Sequence, residues 1–149
     1  MAKSDGTREL ERARALLLRR KPDHEQAFSL LTKAHAKGNP EAAYALGTWY
    51  LHGEHVKKNV KKGIALIREG AAGKHPDALY DMALSFELGT GVRKNPSKAL
   101  VLYIDAALHG DRQATYEVGR CYYYGIGTTK NRDVARVWFD RAHKLGVKD

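Results

Sequence analysis

The side chains best suited to metal or nucleophilic chemistry in this 149-residue chain are seven histidines and one cysteine. A zinc site needs several His or Cys ligands brought together, commonly with two histidines at helical i, i+4 spacing. His52 and His55 straddle a helix end and a loop, and no carboxylate or thiol partner recurs beside them. His35 and His143 share a position in an internal repeat but lie three repeats apart. Cys121 is the single cysteine, which excludes an internal disulfide and a cysteine-based zinc site. It falls at a helix position held elsewhere by Trp49 and Ser85, the setting of a tucked-in, inert thiol. Gly125-Ile126-Gly127 follows a helix, whereas a phosphate cradle opens one. No acid and base stand paired at catalytic spacing. The chain therefore reads as a non-enzyme with no catalytic residues, no metal and no cofactor.

Positive charge is the other chemical resource. The formal net charge is +9 and the pI about 9.7, values that speak for solubility and acidic partners rather than for any fold. The charge is grouped: Lys57, Lys58, Lys61 and Lys62 give +4; Arg93, Lys94 and Lys98 give +3; Lys130, Arg132 and Arg136 with Asp133 give +2. These three windows account for the whole excess. Nucleic acid is a second class of partner at such a pI, but no Arg-rich helix with exposed aromatics, zinc finger or RNA-binding motif accompanies it.

The elements that must carry these residues follow from self-similarity at a period of 36 residues. Units run 24–59, 60–95 and 96–131, with a half unit at 132–149 and no gap needed to align them. Small residues recur at the fourth position (Ala27, Gly63, Ala99, Ala135) and the eleventh (Ala34, Gly70, Ala106, Ala142). Between them lie the pairs Leu30-Leu31, Leu66-Ile67, Leu102-Tyr103 and Trp138-Phe139. Spacings of three, four and seven define one face of a helix, here helix A, whose small residues let a neighbour approach. Helix A stops at Gly38, Gly110 and Gly146, the usual left-handed cap, with Lys74 the exception. Helix B carries Ala42/Ala78/Ala114, Tyr44/Tyr80/Tyr116 and Gly47/Ala83/Gly119 and ends at Gly53, Gly89 and Gly125. Glycine inside a helix costs about 1 kcal/mol against alanine, so Gly47 and Gly119 imply close helix packing. Asp23, Asn59, Asn95 and Asn131 precede each helix A as N-caps. Residues from about Thr7 to Lys21 form a further amphipathic helix, with Leu10, Ala13 and Leu17 on one side, expected to cap the array within residues 1–23. The fold class is all-α: a right-handed α-α superhelix of three units, a capping helix and a C-terminal half repeat.

The stretch Ala42-Ala43-Tyr44-Ala45-Leu46-Gly47-Thr48-Trp49-Tyr50-Leu51-His52-Gly53, repeated in register at Ala114 to Gly127 and echoed by Gly89-Thr90-Gly91-Val92, resembles the Sel1-like repeat family, relatives of the tetratricopeptide repeat. The resemblance covers about Asp23 to Gly146. Two departures stand out: His55 replaces the second loop glycine, which puts that turn in question, and the cap column is Asn where the family often has Asp. The resemblance implies a scaffold or adaptor that binds other proteins, with helix A lining a concave surface; some members look like immunity proteins that neutralise effectors.

Two surfaces are then expected to bind. On helix A, residues flanking the packing stripe face the groove: Phe28, Thr32, His35, Ile64, Arg68, Leu100, Ile104 and Arg136. An apolar strip with charged ends suits a helix or extended peptide, although Phe28, Ile64 and Leu100 equally fit a wider core. Along the links, Lys57, Lys58, Lys61, Lys62, Arg93, Lys94, Lys98, Lys130 and Arg132 form a basic edge for an acidic protein or peptide. Trp138 and Phe139 on the half repeat lack a following helix B, and a homodimer seam there is the further expectation. No run approaches the ~18 apolar residues of a membrane span, and the polar start Met1-Ala2-Lys3-Ser4-Asp5-Gly6 lacks a signal-peptide core, so a cytoplasmic protein without membrane contact is expected.

Overall fold

The computed structural model describes residues 5–148, in which every regular element is an α-helix. The order is α1 (Thr7–Leu17), α2 (His24–Ala36), α3 (Pro40–His52), α4 (Val60–Ala72), α5 (Pro76–Leu88), α6 (Pro96–Leu108), α7 (Arg112–Tyr124) and α8 (Arg132–Lys144). Helix A corresponds to α2, α4, α6 and α8, and helix B to α3, α5 and α7. The chain divides into two compact units, Met1–Gly73 and Lys74–Asp149.

Capping chemistry sets the helix starts. The side chains of Asp23, Asn59, Asn95 and Asn131 accept from the amides of Gln26, Lys62, Lys98 and Val134, satisfying one orphan donor at each helix A. Helix B is capped the same way by Asn39 and Asp111, which accept from Ala42 and Ala114 at 3.0 and 2.8 Å. Helix A ends through a left-handed residue in every unit: Gly38, Gly110 and Gly146, and also Lys74 at φ 64°.

In the first unit, Leu10, Ala13 and Leu16 of α1 pack with Ala27, Leu30, Leu31 and Ala34 of α2 and with Leu46 and Trp49 of α3. The buried residue at the end of α1 is therefore Leu16, with Leu17 only partly buried, and the helix closes at Leu17 rather than Lys21. Pro22 keeps the helix from reaching Lys21, because the residue before a proline is pushed out of helical geometry. Arg14 pairs with Glu41, and Glu9 with Lys37, tying α1 to the start of α3 and the end of α2. Helices α3 and α4 approach through glycine: a Cβ on Gly47 would lie 2.9 Å from the Gly63 carbonyl oxygen, and one on Gly63 would lie 2.7 Å from the Leu51 amide nitrogen.

In the second unit, Ala78, Leu79, Met82, Leu100, Tyr103, Val118 and Cys121 form the buried centre. Gly119 does for α8 what Gly47 does for α4, since a Cβ there would lie 2.7 Å from the Phe139 ring. Within each unit the most extensive pairings join a helix to the helix A that follows it: α1 with α2, α3 with α4, α5 with α6, α7 with α8.

Candidate protein-binding surfaces

Each unit presents helix A residues whose fate is decided by how many neighbours touch them. In the first unit, Phe28 is half-buried, its ring 6.2 Å from Trp49 and 6.3 Å from Tyr50. Ile64 is half-buried as well. Thr32 is exposed and donates its hydroxyl to the Phe28 carbonyl, and Arg68 is exposed. His35 Nε2 lies 2.5 Å from Glu69 Oε2, a bridge between α2 and α4. In the second unit Leu100 is buried, Ile104 half-buried and Arg136 exposed. The next helix A position along is exposed in all four copies: Ser29, Ala65, Val101 and Val137. A helix gripped by a neighbour on each side turns the fifth position inward and leaves the sixth to solvent, as at Phe28, Ile64 and Leu100, whereas on the last helix, α8, the fifth position, Arg136, is exposed.

The basic links are positioned by their loops. Gly53, Gly89 and Gly125 close helix B at φ 67°, 74° and 74°, and a Cβ on each would meet Lys58, Lys94 or Lys130 at 3.0–3.1 Å. The second loop position is left-handed too, filled by Gly91, Gly127 and His55. The His55 turn thus keeps the geometry of its glycine counterparts; the imidazole stacks on His24 at 3.6 Å and meets Trp49 edge-on at 5.0 Å. Within the second unit, Gly127 sits so close to the Pro96 carbonyl that a Cβ would lie 2.2 Å from its oxygen, which brings the last link against the start of α6.

The cations differ in their freedom. Lys62 lies over the Tyr50 ring at 4.5 Å, Lys98 over Phe86 at 4.6 Å and Arg132 over Tyr123 at 4.7 Å. Such cation–π contacts contribute about 0.5–1 kcal/mol at exposed sites and hold the side chains to the protein. Lys57, Lys58, Lys61, Arg93, Lys94 and Lys130 are exposed. Tyr123, Arg132, Arg136 and Phe139 line a recess of about 340 Å³, beside which Tyr124 and Val137 are 61% and 66% exposed. Trp138 and Phe139 are both half-buried, and Phe139 is held between Gly119 and Tyr116.

Two groupings had no signal in the repeat columns. Arg120 donates to both oxygens of Glu87 at 2.8 Å and to Glu117 at 2.7 Å, and Tyr103 donates to Glu87 at 2.7 Å, joining α5, α6 and α7. Burial foremost, then the bond to Glu87, pushes the Tyr103 phenol well above its ordinary range. The i, i+3 pair Glu117–Arg120 is visible in sequence, but its link to Glu87 is tertiary. Cys121 beside this network is fully buried, and burial pushes its thiol up to about 11, so it is protonated at neutral pH. The second grouping is a cleft of about 270 Å³ where α6, α7 and α8 meet, walled by Ala107, Leu108, Trp138 and Leu145 with Arg112 and Arg141 at its rim. No described helix is long and apolar enough to cross a membrane.

The sequence model of the Sel1 repeat matches residues 9–39, 40–75, 76–111 and 112–147. This framing begins inside α1 and joins each helix to the helix A after it, which agrees with the most extensive helix pairings. No curated protein matches the chain. A Sel1 repeat protein from Oxalobacter formigenes is similar in structure, with 30% identity, a TM-score of 0.76, and coverage of 79% of this chain and 89% of that one. A protective antigen of uropathogenic Escherichia coli displaying an SLR fold is 23% identical with a TM-score of 0.84; the match covers 97% of this chain but 31% of the antigen. An immunity protein from Pseudomonas aeruginosa is 22% identical with a TM-score of 0.65, over 98% of this chain and 54% of the other.

Proposed function

Because the chain belongs to the Sel1 repeat family, whose repeats generally mediate protein–protein interaction, we propose that it is a non-catalytic adaptor that holds an acidic protein or peptide. The observation that carries this reading is the match of four consecutive repeats over residues 9–147. The acidic character of the partner rests on the net charge of +9 and on exposed Lys57, Lys58, Lys61, Arg93, Lys94 and Lys130. Thr32, Arg68 and Arg136 are the expected groove residues that stay exposed, and the sixth-position residues Val101 and Val137 extend the helix A surface. The protein works in the cytoplasm in this reading.

Affinity capture from nuclease-treated lysate, eluted in rising salt and read by mass spectrometry, tests it. One dominant acidic protein leaving at moderate salt is the expected result. Nothing retained after nuclease, with nucleic acid bound before it, replaces the adaptor with a nucleic-acid binder whose affinity falls steeply with salt.

A narrower version is an immunity role in which the same surface plugs an effector. Its support is that an immunity protein of Pseudomonas aeruginosa has this fold. Co-expression with the captured partner separates the two: rescue of growth from a toxic partner identifies immunity, and an innocuous partner identifies an adaptor. A homodimer through the C-terminal half repeat, at half-buried Trp138 and Phe139 beside exposed Val137, is a further reading. Sedimentation velocity that rises with concentration supports that dimer, and a constant monomer value removes it.

A further inference from the structure

The repeat makes an internal control available, because α2–α3–α4 of the first unit and α6–α7–α8 of the second are the same three elements two periods apart. In the first unit these elements are tied together across the space among them. His35 reaches from the end of α2 to Glu69 on α4 at 2.5 Å, and Pro40 seats against Gly73 so tightly that a Cβ there would lie 2.5 Å from Pro40 Cβ. In the second unit Ala107 stands for His35, Arg141 for Glu69, Arg112 for Pro40 and Leu145 for Gly73. The bridge cannot form, and the space becomes the cleft of about 270 Å³.

These substitutions also change its chemistry. Leu66 of the first unit becomes Trp138, which supplies an aromatic wall, and Leu108 at the mouth is 68% exposed. An acid at the rim has become a base. Arg112 and Arg141 are exposed and form no ion pair among the described residues. The one acid lining the cleft, Asp111, has its carboxylate engaged as the cap of α7, accepting from Ala114 at 2.8 Å. An apolar recess under two free guanidinium groups complements an apolar side chain flanked by carboxylates, since guanidinium forks bind carboxylates bidentately and anchors in dry pockets dominate interfaces.

We propose that the cleft among α6, α7 and α8 is a docking pocket for an acidic peptide segment, taking one apolar side chain between Leu108, Leu145 and Trp138 and placing carboxylates on Arg112 and Arg141. This rests on the protein-binding reading above and gives it a site. In the first unit the corresponding positions are bridged by His35 and Glu69 instead.

The test uses the full chain labelled with nitrogen-15 and a blocked probe peptide, Glu-Asp-Glu-Leu-Glu-Asp-Glu. Controls replace its leucine with glycine or its carboxylates with amides. The Trp138 indole resonance, assigned with Trp138→Phe, is expected to shift on titration with the probe and to stay put with either control. Recreating the closed arrangement by Ala107→His with Arg141→Glu is expected to weaken binding at least about tenfold, the scale on which buried anchors act. Circular dichroism and the melting temperature verify that this variant folds; Arg112→Gln with Arg141→Gln gives the same loss without any new side-chain bridge. Equal binding of the leucine and glycine peptides, or shifts confined to the basic links, overturns the pocket and leaves the adaptor reading standing. No binding of the probe likewise overturns the pocket, whereas an empty lysate capture is what defeats the adaptor reading.

Discussion

Lys74 and His55 are the two non-glycine residues, among those described, whose backbones are left-handed, at φ 64° and 59°. An L-residue there costs roughly 1–2 kcal/mol, yet the two are retained for different reasons. Lys74 occupies the helix A cap held by Gly38, Gly110 and Gly146, and its recompense is an ion pair with Asp105 at 2.5 Å. The lysine side chain is 55% exposed, so that pair contributes only a few tenths of a kcal/mol. Lys74→Gly is therefore expected to stabilise the protein by about 0.5 kcal/mol after the entropy of glycine in the unfolded chain is set against the relieved strain. His55 has more to lose, because its ring stacks on His24 and abuts Trp49. His55→Gly is expected to destabilise, so urea midpoints of the two variants should move in opposite directions. Cys121 gives a pH-dependent case. Its pKa rises from 9.0 to about 11 on folding, so the protonated thiol's contribution is complete below pH 9 and is lost as pH climbs through 11. Cys121→Ala has no thiol to lose, and the stability gap between wild type and this variant should narrow from pH 9 to pH 11.

Helices are held at their spacing by what is absent as much as by what is present. Gly47→Ala gains about 1 kcal/mol of helix propensity. It also drives a methyl to 2.9 Å from the Gly63 carbonyl, a backbone atom that cannot turn away. A net loss of about 1–2 kcal/mol is expected, measurable by urea denaturation, because overpacking a close helix pair costs more than propensity returns. Polar ties act in the other unit. Arg120 neutralises Glu87 and Glu117, whose side chains are only 13% and 12% exposed. Arg120→Leu strands two carboxylates and is expected to cost about 3 kcal/mol, with Arg120→Leu combined with Glu87→Gln recovering part of it. The cap glycines and the Asn caps of this architecture were legible in the sequence because they act within one turn, and Gly47 and Gly119 because glycine is costly inside a helix unless a neighbour needs the space. The open face of helix A was not: spacings of three, four and seven locate a stripe but leave its rotation uncertain by one residue when two neighbours grip the helix. That is why Leu100 is buried while Val101, beside it, is 64% exposed. The Glu87–Arg120 tie and the α6–α8 cleft were hidden for a related reason, since each depends on residues far apart in sequence that no single column compares. The cleft becomes visible only as a difference between copies two periods apart, His35 against Ala107 and Glu69 against Arg141.

At the scale of the whole molecule, charge and pocket govern different parts of association. Exposed rim cations raise the rate of encounter with an acidic partner without being part of the final dry contact, whereas a buried anchor sets how long the complex lasts. Lys57, Lys61, Arg93 and Lys94 are exposed, and none of them is among the cleft-lining residues. Changing all four to Gln removes four of the positive charges behind the net +9 and leaves the cleft intact. With the captured acidic protein as partner, this variant is expected to slow association about fivefold at low salt and to flatten the salt dependence of the on-rate, with dissociation unchanged, because screening acts on long-range attraction. Ala107→His with Arg141→Glu is expected to do the reverse, speeding dissociation while association holds within about twofold, as interface mutations mostly do. Surface plasmon resonance at two salt concentrations reads both rates. If the variant lacking these four cations instead speeds dissociation, the basic links are themselves the contact, and the partner lies along the loops rather than in the helix A cleft.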